Sequence, residues 1–212
     1  AMLKALMGDI NPSGKLAESY PVKYEDVPSA PYFPAKQRSA EYREGLYVGY
    51  RCYETANIPV LFPFGFGLSY TTFAYSGLSV SEKEVSFTLK NTGEVDGAEV
   101  AQLYVGKADA QVFRPAKELK GFQKVFLRAG ERRTVTIPLD DKAFRYFNVK
   151  TNRFEVEGGE YQVMIGASAA DIRLTGAVSA AGTGAENPYD AAELSDYYSG
   201  RVGAVSDRQF EA

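Results

Sequence analysis

Between residues 74 and 180, the chain contains short runs in which hydrophobic and polar residues alternate. Turn sequences lie between these runs. In the first clear run, Val85, Phe87 and Leu89 alternate with polar neighbours. Later runs cover 100–105, 122–126, 135–139, 161–165 and 172–178. A period of two sends successive side chains to opposite faces of a strand, so one face of each run meets a core. The pattern therefore predicts an all-β sandwich.

The number and spacing of these runs narrow the fold further. About seven strands in roughly 105 residues is the size of an immunoglobulin-like sandwich. The chain of 212 residues has one cysteine, Cys52, so no internal disulfide is available and the alternating side chains must supply the core. Histidine is absent, which excludes histidine-based triads and histidine metal sites. We therefore predict neither a cofactor nor a metal.

Charge and hydropathy limit the partners. The net charge of −3 argues against nucleic acid, because phosphate binding needs a concentrated basic surface. Uninterrupted apolar stretches stay far below the ~20 residues that a membrane helix requires. We therefore expect neither a nucleic acid nor a membrane as partner, and a cytoplasmic location is the default expectation.

Residues 11–70 have a different texture, rich in turns and aromatic rings. The stretch 20–34 contains four prolines and predicts an extended loop. Residues 43–53 fit either a short strand or a helical turn. Residues 62–68 carry too much proline and glycine for a central strand. This zone is typical of the edge of a domain whose bulk lies elsewhere.

Both ends resemble parts of longer helices, which favours a piece excised from a longer chain. Leu3, Leu6 and Met7 form one apolar helix face, and Gly8 is a suitable helix stop. Ser206 and Gln209 have the spacing of a capping box that opens a helix.

The pattern after residue 180 predicts a connector to a further part of the protein. Residues 181–185 predict a flexible link. Asp190 and Glu193 repeat the capping-box spacing and predict a short helix through Tyr198, which Gly200 ends.

Several motifs in order resemble glycoside hydrolase family 3. GDINPSGKL at 8–16, EGLYVGYRCY at 44–53 and FPFGFGLSY at 62–70 resemble the end of that family's α/β sandwich domain. NTG at 91–93, VAQLYV at 100–105, RP at 114–115, KELKGF at 117–122 and GEY at 159–161 resemble its fibronectin type III-like domain. YYSG at 197–200 and VSDRQF at 205–210 are similar to the lead-in to the catalytic barrel in members with reversed domain order.

The resemblance implies a mainly β chain in three parts. Residues 1–70 would be the end of an α/β sandwich domain with its linker, 71–180 a fibronectin type III-like β-sandwich, and 181–212 a linker toward a missing catalytic barrel. The implied function is the accessory part of a β-glucosidase-like hydrolase, which cleaves O-glycosidic bonds in carbohydrate metabolism. The implied partners are the remaining domains of that enzyme and, for the whole enzyme, a β-linked oligosaccharide or glucoside.

No residue of this chain matches a catalytic residue of family 3. A retaining glycosidase needs two carboxyl groups, one as nucleophile and one as acid/base. In family 3 the nucleophilic aspartate stands in a Ser-Asp-Trp context on the barrel, whereas this chain has no tryptophan. The family's acid/base glutamate lies upstream of anything that resembles residues 8–70. We therefore assign no catalytic, cofactor-binding or metal-binding residue, and we expect the isolated chain to be inactive.

Other constellations have simpler interpretations. The adjacent carboxylates Glu25-Asp26 and Asp140-Asp141 predict solvated or capping roles, since strand neighbours point to opposite faces. Gly65 and Gly67 lack the third glycine of a dinucleotide loop, because Tyr70 occupies its position. The acidic residues Asp96, Asp109 and Asp190 lack calcium-loop spacing.

Six aromatic residues fit two roles. Aromatic rings stack on sugars, but rings such as these more often pack between domains. The residues are Tyr24, Tyr32, Phe33, Tyr47, Tyr50 and Tyr53.

Two further alternatives stay open from the residues. The first is an independent carbohydrate-binding or adhesion module, since β-sandwiches host many functions. The second concerns the aromatic face of residues 42–70, which would be uncovered without its partner domain. We expect this face either to form a homodimer or to be mobile. Alternatively, residues 21–34 fold back and cover it.

Overall fold

The computed structural model describes residues 2–35, 38–140 and 142–212, and within them the fold is mainly β. The helices are α1 (Met2–Leu6), α2 (Tyr50–Thr55), α3 (Ser195–Ser199) and α4 (Asp207–Glu211). The strands are β1 (Tyr20–Pro21), β2 (Val60–Phe62), β3 (Phe73–Val80), β4 (Glu84–Asn91), β5 (Gly97–Gly106), β6 (Glu118–Leu127), β7 (Arg132–Pro138), β8 (Arg145–Asn148), β9 (Arg153–Val156), β10 (Gly159–Gly166) and β11 (Ile172–Ala180). None of the helices described is long and apolar enough to span a membrane.

The predicted sandwich is confirmed. One sheet has the order β3-β4-β7 and the other has the order β11-β10-β5-β6, with every pairing antiparallel. The core between them contains Phe87, Leu103, Val163 and Ile165, each exposed by 1% or less. The side chains that alternate in the sequence are therefore the ones that fill the core.

The alternation does not locate every ring correctly. In β6, Val125 and Leu127 point into the core, whereas Phe122 and Phe126 are 63% and 55% exposed. The two rings pair with Gln102 and Ala98 of β5, four residues apart in an unshifted part of the ladder. Phe122 and Phe126 therefore share the outer face of an edge strand, where a hydrophobic count alone predicts core.

A short hairpin, β8 with β9, has no counterpart in the predicted pattern. Its strands contain four residues each, too few for a clear alternation. The turn depends on Asn148, whose side-chain oxygen accepts hydrogen bonds from the backbone N–H groups of Lys150 and Thr151 at 2.9 and 3.2 Å. A side chain that bonds its own backbone favours a turn by local chemistry that periodicity does not reveal.

A tyrosine corner closes the sandwich where β10 begins. The hydroxyl of Tyr161 donates to the carbonyl of Glu157 at 2.7 Å, and its ring is 1% exposed. A buried hydroxyl returned to the backbone a few residues upstream is a feature of immunoglobulin-like sandwiches. The GEY motif thus supplies both a core ring and a backbone anchor.

The leading segment, residues 2–70, lies against the sandwich. Instead of a wholly extended loop, residues 20–34 contain β1 and two 3-10 turns, Tyr24–Asp26 and Ala30–Tyr32. Of the two alternatives for residues 43–53, the structure has the helical one, α2. β2 pairs with β1 in a separate two-stranded sheet, so residues 62–68 are not in a central strand, as predicted.

The chain ends follow the capping predictions in part. Gly8 has the left-handed φ of 81° that a helix stop uses, and Ser206 accepts a hydrogen bond from the N–H of Gln209. The Gln209 side chain, however, bonds Asp196 instead of returning to Ser206. The helix predicted from Asp190 begins only at Ser195.

The trailing segment, residues 181–212, is less free than its glycines predict. The N–H of Thr183 donates to the carbonyl of Val156 at 2.9 Å, and the Thr183 hydroxyl accepts from the N–H of Val156 at 3.1 Å. The predicted flexible link therefore runs along β9. The positions of the domain boundaries stay a prediction.

Candidate functional site

The adjacent carboxylates have local roles. Asp26 lies 3.9 Å from the Lys23 ammonium on a 3-10 turn beside the exposed Glu25. Asp140 accepts from the N–H of Lys142 at 3.0 Å, which caps the turn after β7, and Asp141 lies outside the described residues. These contacts match the solvated and capping roles that the sequence predicts for Asp26 and Asp140.

Gly65 and Gly67 allow two backbones to approach closely. The carbonyl of Gly65 accepts from the Gln102 amide at 3.1 Å, and a Cβ at Gly65 would lie 2.0 Å from the Gln102 side-chain oxygen. A Cβ at Gly67 would lie 2.3 Å from the carbonyl oxygen of Gly14. Gly65 thus lets the leading segment pack on the outer face of β5, and Gly67 lets two parts of the leading segment pack on each other. Both are packing roles instead of phosphate-binding ones.

The isolated acidic residues are also part of the scaffold. Asp96 accepts from the N–H of Ala129 at 2.9 Å, and Asp190 accepts from the N–H of Ala192 at 2.7 Å. The Lys107 ammonium, 2.8 Å away, lowers the pKa of Asp109 by hydrogen bonding. Within 2–35, 38–140 and 142–212, no group of three histidine, cysteine, aspartate or glutamate side chains has metal-binding geometry.

The six aromatic residues divide into packed and exposed rings. Tyr47 and Tyr53 are buried, and Tyr50 stacks on Phe64 with ring centres 4.7 Å apart. Tyr32 lies against the Arg43 guanidinium. Tyr24 and Phe33 are exposed. The packing interpretation therefore applies to most of the set, within this chain.

A second hydrophobic core forms where the trailing segment returns to the leading segment. We call it the junction core, and its buried residues are Tyr47, Cys52, Val202 and Val205. Phe113, in the loop between β5 and β6, packs against the junction core. Its ring contacts four tyrosines, at centroid distances of 4.7 to 6.5 Å: Tyr47, Tyr189, Tyr197 and Tyr198. Three separate parts of the chain thus share one cluster.

Hydrogen bonds complete the junction. The Tyr47 hydroxyl donates to the carbonyl of Tyr197, and the Tyr197 hydroxyl donates to the carbonyl of Arg43 at 3.0 Å. On the sandwich side, the N–H of Ala116 donates to the Thr55 hydroxyl at 2.9 Å. These three hydrogen bonds cross between segments, which fixes the relative position of the segments.

Burial governs the acid–base behaviour of the junction core. Desolvation raises the pKa of the Tyr47 hydroxyl well above its usual value. Desolvation, followed by the negative charge of Glu44, raises the pKa of the Cys52 thiol to about 11. A thiol that is both protonated and buried is a poor nucleophile.

We predict that Cys52 in the native chain reacts slowly with thiol reagents. At pH 8, a pKa of about 11 leaves about two hundredfold less thiolate than an ordinary cysteine with a pKa of about 8.5 has, and the residue is only 2% exposed. Labelling with a chromogenic disulfide, with and without denaturant, measures the effect. Equal rates in the two conditions would contradict the burial of this thiol.

The leading segment also carries an uncovered apolar surface. We call it the apolar flank, and it comprises residues 2–7 and an open groove of about 600 Å³. In the groove the ring centres of Tyr20 and Phe62 are 6.2 Å apart, and those of Phe62 and Phe66 are 5.1 Å apart. The Tyr70 hydroxyl donates to the carbonyl of Ala5 at 2.7 Å, which joins α1 to the same surface. Its most exposed members are Met2, Leu3, Leu6, Met7 and Leu68.

The structure thus divides the aromatic face that the sequence places over 42–70. Tyr47, Tyr50 and Tyr53 are packed. The alternative prediction was that residues 21–34 cover this face, but the trailing segment covers Tyr47. The aromatic residues Tyr42, Phe62 and Tyr70 remain exposed. Arg43, Phe113 and the trailing tyrosines were missed as site residues, because contacts between such distant positions leave no periodic signal.

Comparison with known proteins adds a family and relatives. Residues 99–169 match the family described as a fibronectin type III-like domain. The chain is 50% identical over 182 residues to thermostable β-glucosidase B of Acetivibrio thermocellus, covering 82% of this chain and 24% of that enzyme. It is 45% identical over 193 residues to an exo-α-(1→6)-L-arabinopyranosidase of Bifidobacterium breve, covering 89% and 26%. The chain therefore spans about a quarter of the length of these curated relatives.

A solved structure extends the similarity. The crystal structure of a family 3 β-glucosidase from Bifidobacterium adolescentis superposes with a TM-score of 0.83 and 41% identity, covering 96% of this chain and 32% of that one. The match therefore reaches beyond the β-sandwich, to the segments on both sides of it.

Proposed function

This chain is homologous to a segment of glycoside hydrolase family 3 β-glucosidases that includes their fibronectin type III-like domain, and from that premise we propose that it braces a β-glucosidase-like hydrolase. The proposed reaction of the whole enzyme is hydrolysis of O-glycosidic bonds in carbohydrates. This chain is the accessory, non-catalytic portion. The observation that carries the proposal is identity of 50% over 82% of the chain with one quarter of a β-glucosidase.

The packing described above suits a brace. The β-sandwich holds the leading segment through the Gln102–Gly65 hydrogen bond and the Lys117–Glu54 ion pair of 2.8 Å. The ion pair is largely shielded from water, with both side chains less than 20% exposed. Such contacts give one rigid unit, on which the apolar flank is presented in a fixed shape. We propose that the flank is the surface that contacts the remaining domains of the hydrolase.

A first experiment separates this function from an independent binding module. We expect the purified chain to hydrolyse no aryl β-glucoside, because no residue pair matches the family's two catalytic carboxylates. We also expect no saturable binding in a glycan screen. Inhibitor-sensitive turnover would contradict the accessory role, and saturable binding of a glycan would favour the carbohydrate-binding alternative.

A second experiment tests the brace directly. The chain replaces the matching segment of β-glucosidase B from Acetivibrio thermocellus, and the chimera is compared with a deletion of that segment. We expect the chimera to hydrolyse an aryl β-glucoside and the deletion to lose activity. In the same chimera, Phe66→Asp in the groove should weaken activity, while Lys124→Asp on the outer face of β6 serves as the exposed control. A folded but inactive chimera would contradict the proposal.

A further inference from the structure

One arginine connects the leading and trailing segments. Arg43 is 7% exposed, and its guanidinium donates to the carbonyl of Val205 at 2.8 Å and to the Asp207 carboxylate at 2.6 Å. Its Nε donates to the Glu41 carboxylate at 2.7 Å. A planar guanidinium that meets two carboxylates and a carbonyl uses most of its fixed donor directions.

Two aromatic rings complete the arginine's surroundings. The guanidinium carbon lies 4.8 Å from the ring centre of Tyr32 and 4.9 Å from that of Phe210. Both distances are within cation–π range. The arginine therefore lies between a ring of the leading segment, Tyr32, and a ring of the trailing segment, Phe210. The Tyr32 hydroxyl also donates to the carbonyl of Val205 at 3.1 Å.

We propose that Arg43 is a latch that holds residues 195–211 on the leading segment, and that this latch opens independently of the β-sandwich. The trailing residues move as one piece, because the Gln209 amide donates to the Asp196 carboxylate at 2.8 Å and accepts from the N–H of Asp196 at 2.9 Å. α3 and α4 are thus fastened to each other, and Arg43 fastens both to the leading segment.

The size of the junction core supports separate opening. Four buried residues form it, whereas the sandwich core draws on seven strands of two sheets. Regions with few buried apolar contacts unfold locally at lower free-energy cost than the core of the same protein. Within the latched residues, Tyr197 and Tyr198 meet the sandwich at the loop that carries Gln111 and Phe113, outside the main core.

A closed latch joins the leading segment to the trailing segment. The latch itself does not depend on the proposed function, because all of its contacts lie within this chain. If the proposed function holds as well, the latch fixes how the segments on either side of the fibronectin type III-like domain are oriented.

The single cysteine reports on the latch. Cys52 lies in the junction core with Val202 and Val205, so its labelling rate measures how often that core opens. We expect Arg43→Ala to raise the labelling rate about tenfold or more. Hydrogen exchange of residues 159–166, in the centre of the sandwich, should stay unchanged, which a general loss of stability would not allow.

Three variants complete the design. Arg208→Ala removes an exposed arginine from α4, the helix that Arg43 contacts through Asp207, and should leave the labelling rate at the native value. Arg43→Lys keeps the charge but loses the planar fork, so an intermediate rate is expected. If Arg43→Ala does not fold, Phe210→Ala removes one ring with Arg43 in place, and an increase of several-fold is expected.

Two outcomes would overturn the latch. One is a labelling rate in Arg43→Ala, or in Phe210→Ala, equal to that of Arg208→Ala. The other is a parallel rise in hydrogen exchange across residues 159–166, which would show that the junction and the sandwich unfold together. Neither outcome bears on whether the chain restores the chimeric β-glucosidase, so the two proposals fail separately.

Discussion

Phe87→Ala and Ile165→Ala are each expected to lower the free energy of unfolding by about 2–5 kcal/mol. The two side chains are 1% and 0% exposed, and the Phe87 ring stacks on Tyr75 with centres 5.9 Å apart. They come from opposite sheets, β4 and β10, so the double variant loses support on both sides of the core. Since a domain of this size is stable by only about 5–15 kcal/mol, the double variant should be close to unfolded. Urea denaturation of the three variants measures this.

Thr88→Ala is the matched control, because Thr88 is the next residue along the same strand. Its side chain is half-buried on the other face of β4, and we expect a change of no more than about 0.5 kcal/mol. A loss at Thr88 as large as the loss at Phe87 would contradict the register of β4.

The contrast between these neighbours shows which part of the fold the sequence predicts. Where a strand is long and one face is buried, as in β4, alternation fixes both the element and its inward side. Where the strand is four residues long, as in β8, or is an edge strand with hydrophobic residues on both faces, as in β6, the sequence pattern does not give the inward side. Helix α2 was one of two open alternatives, because a turn and a half of helix is too short for a distinct period.

Contacts between distant parts of the chain could not be predicted from the sequence. Gly65 and Gly67 were noticed in the sequence, but their role depends on Gln102 and Gly14, which no local pattern connects with them. Arg43 and Asp207 are 164 positions apart, so their contact is set by the path of the whole chain. The motifs of family 3 identify the segment as a unit, while the reason for its aromatic content appears only when the segments are brought together.

The second large effect is expected at alkaline pH. Burial raises the pKa of Tyr47, Tyr75 and Tyr104 well above the ordinary tyrosine value, and it raises the pKa of Cys52 to about 11. In the unfolded chain these groups lose their protons near pH 10 for tyrosine and about 8.5 for cysteine. Their stabilising contribution is therefore complete below about pH 8.5 and is lost as the pH rises above the unfolded values.

The size of this loss follows from the same linkage. Each group loses about 1.4 kcal/mol for every pH unit between its unfolded and folded pKa values. At pH 11, Tyr47 and Cys52 remove about 4 kcal/mol from the junction core, and Tyr75 and Tyr104 remove about 3 kcal/mol from the β-sandwich. At pH 12 the loss from Tyr75 and Tyr104 reaches about 5 kcal/mol, which is comparable with the whole stability of such a domain. We therefore expect the junction to open first and the β-sandwich to unfold cooperatively near pH 12, and circular dichroism together with phenolate absorbance measures both steps.

Tyr75→Phe separates this mechanism from general alkaline damage. Among the described residues the buried Tyr75 hydroxyl has no hydrogen-bond partner, so its removal should be neutral or stabilising by about 1 kcal/mol at pH 7. The same variant lacks one of the buried ionising groups of the sandwich, so its sandwich should unfold at a higher pH than that of the native chain. Tyr104→Phe also lacks one, but it loses the bond that the Tyr104 hydroxyl donates to Gln102 at 2.6 Å, so it should cost stability at pH 7. An alkaline midpoint that is the same in Tyr75→Phe and in the native chain would show that buried phenols do not cause the transition.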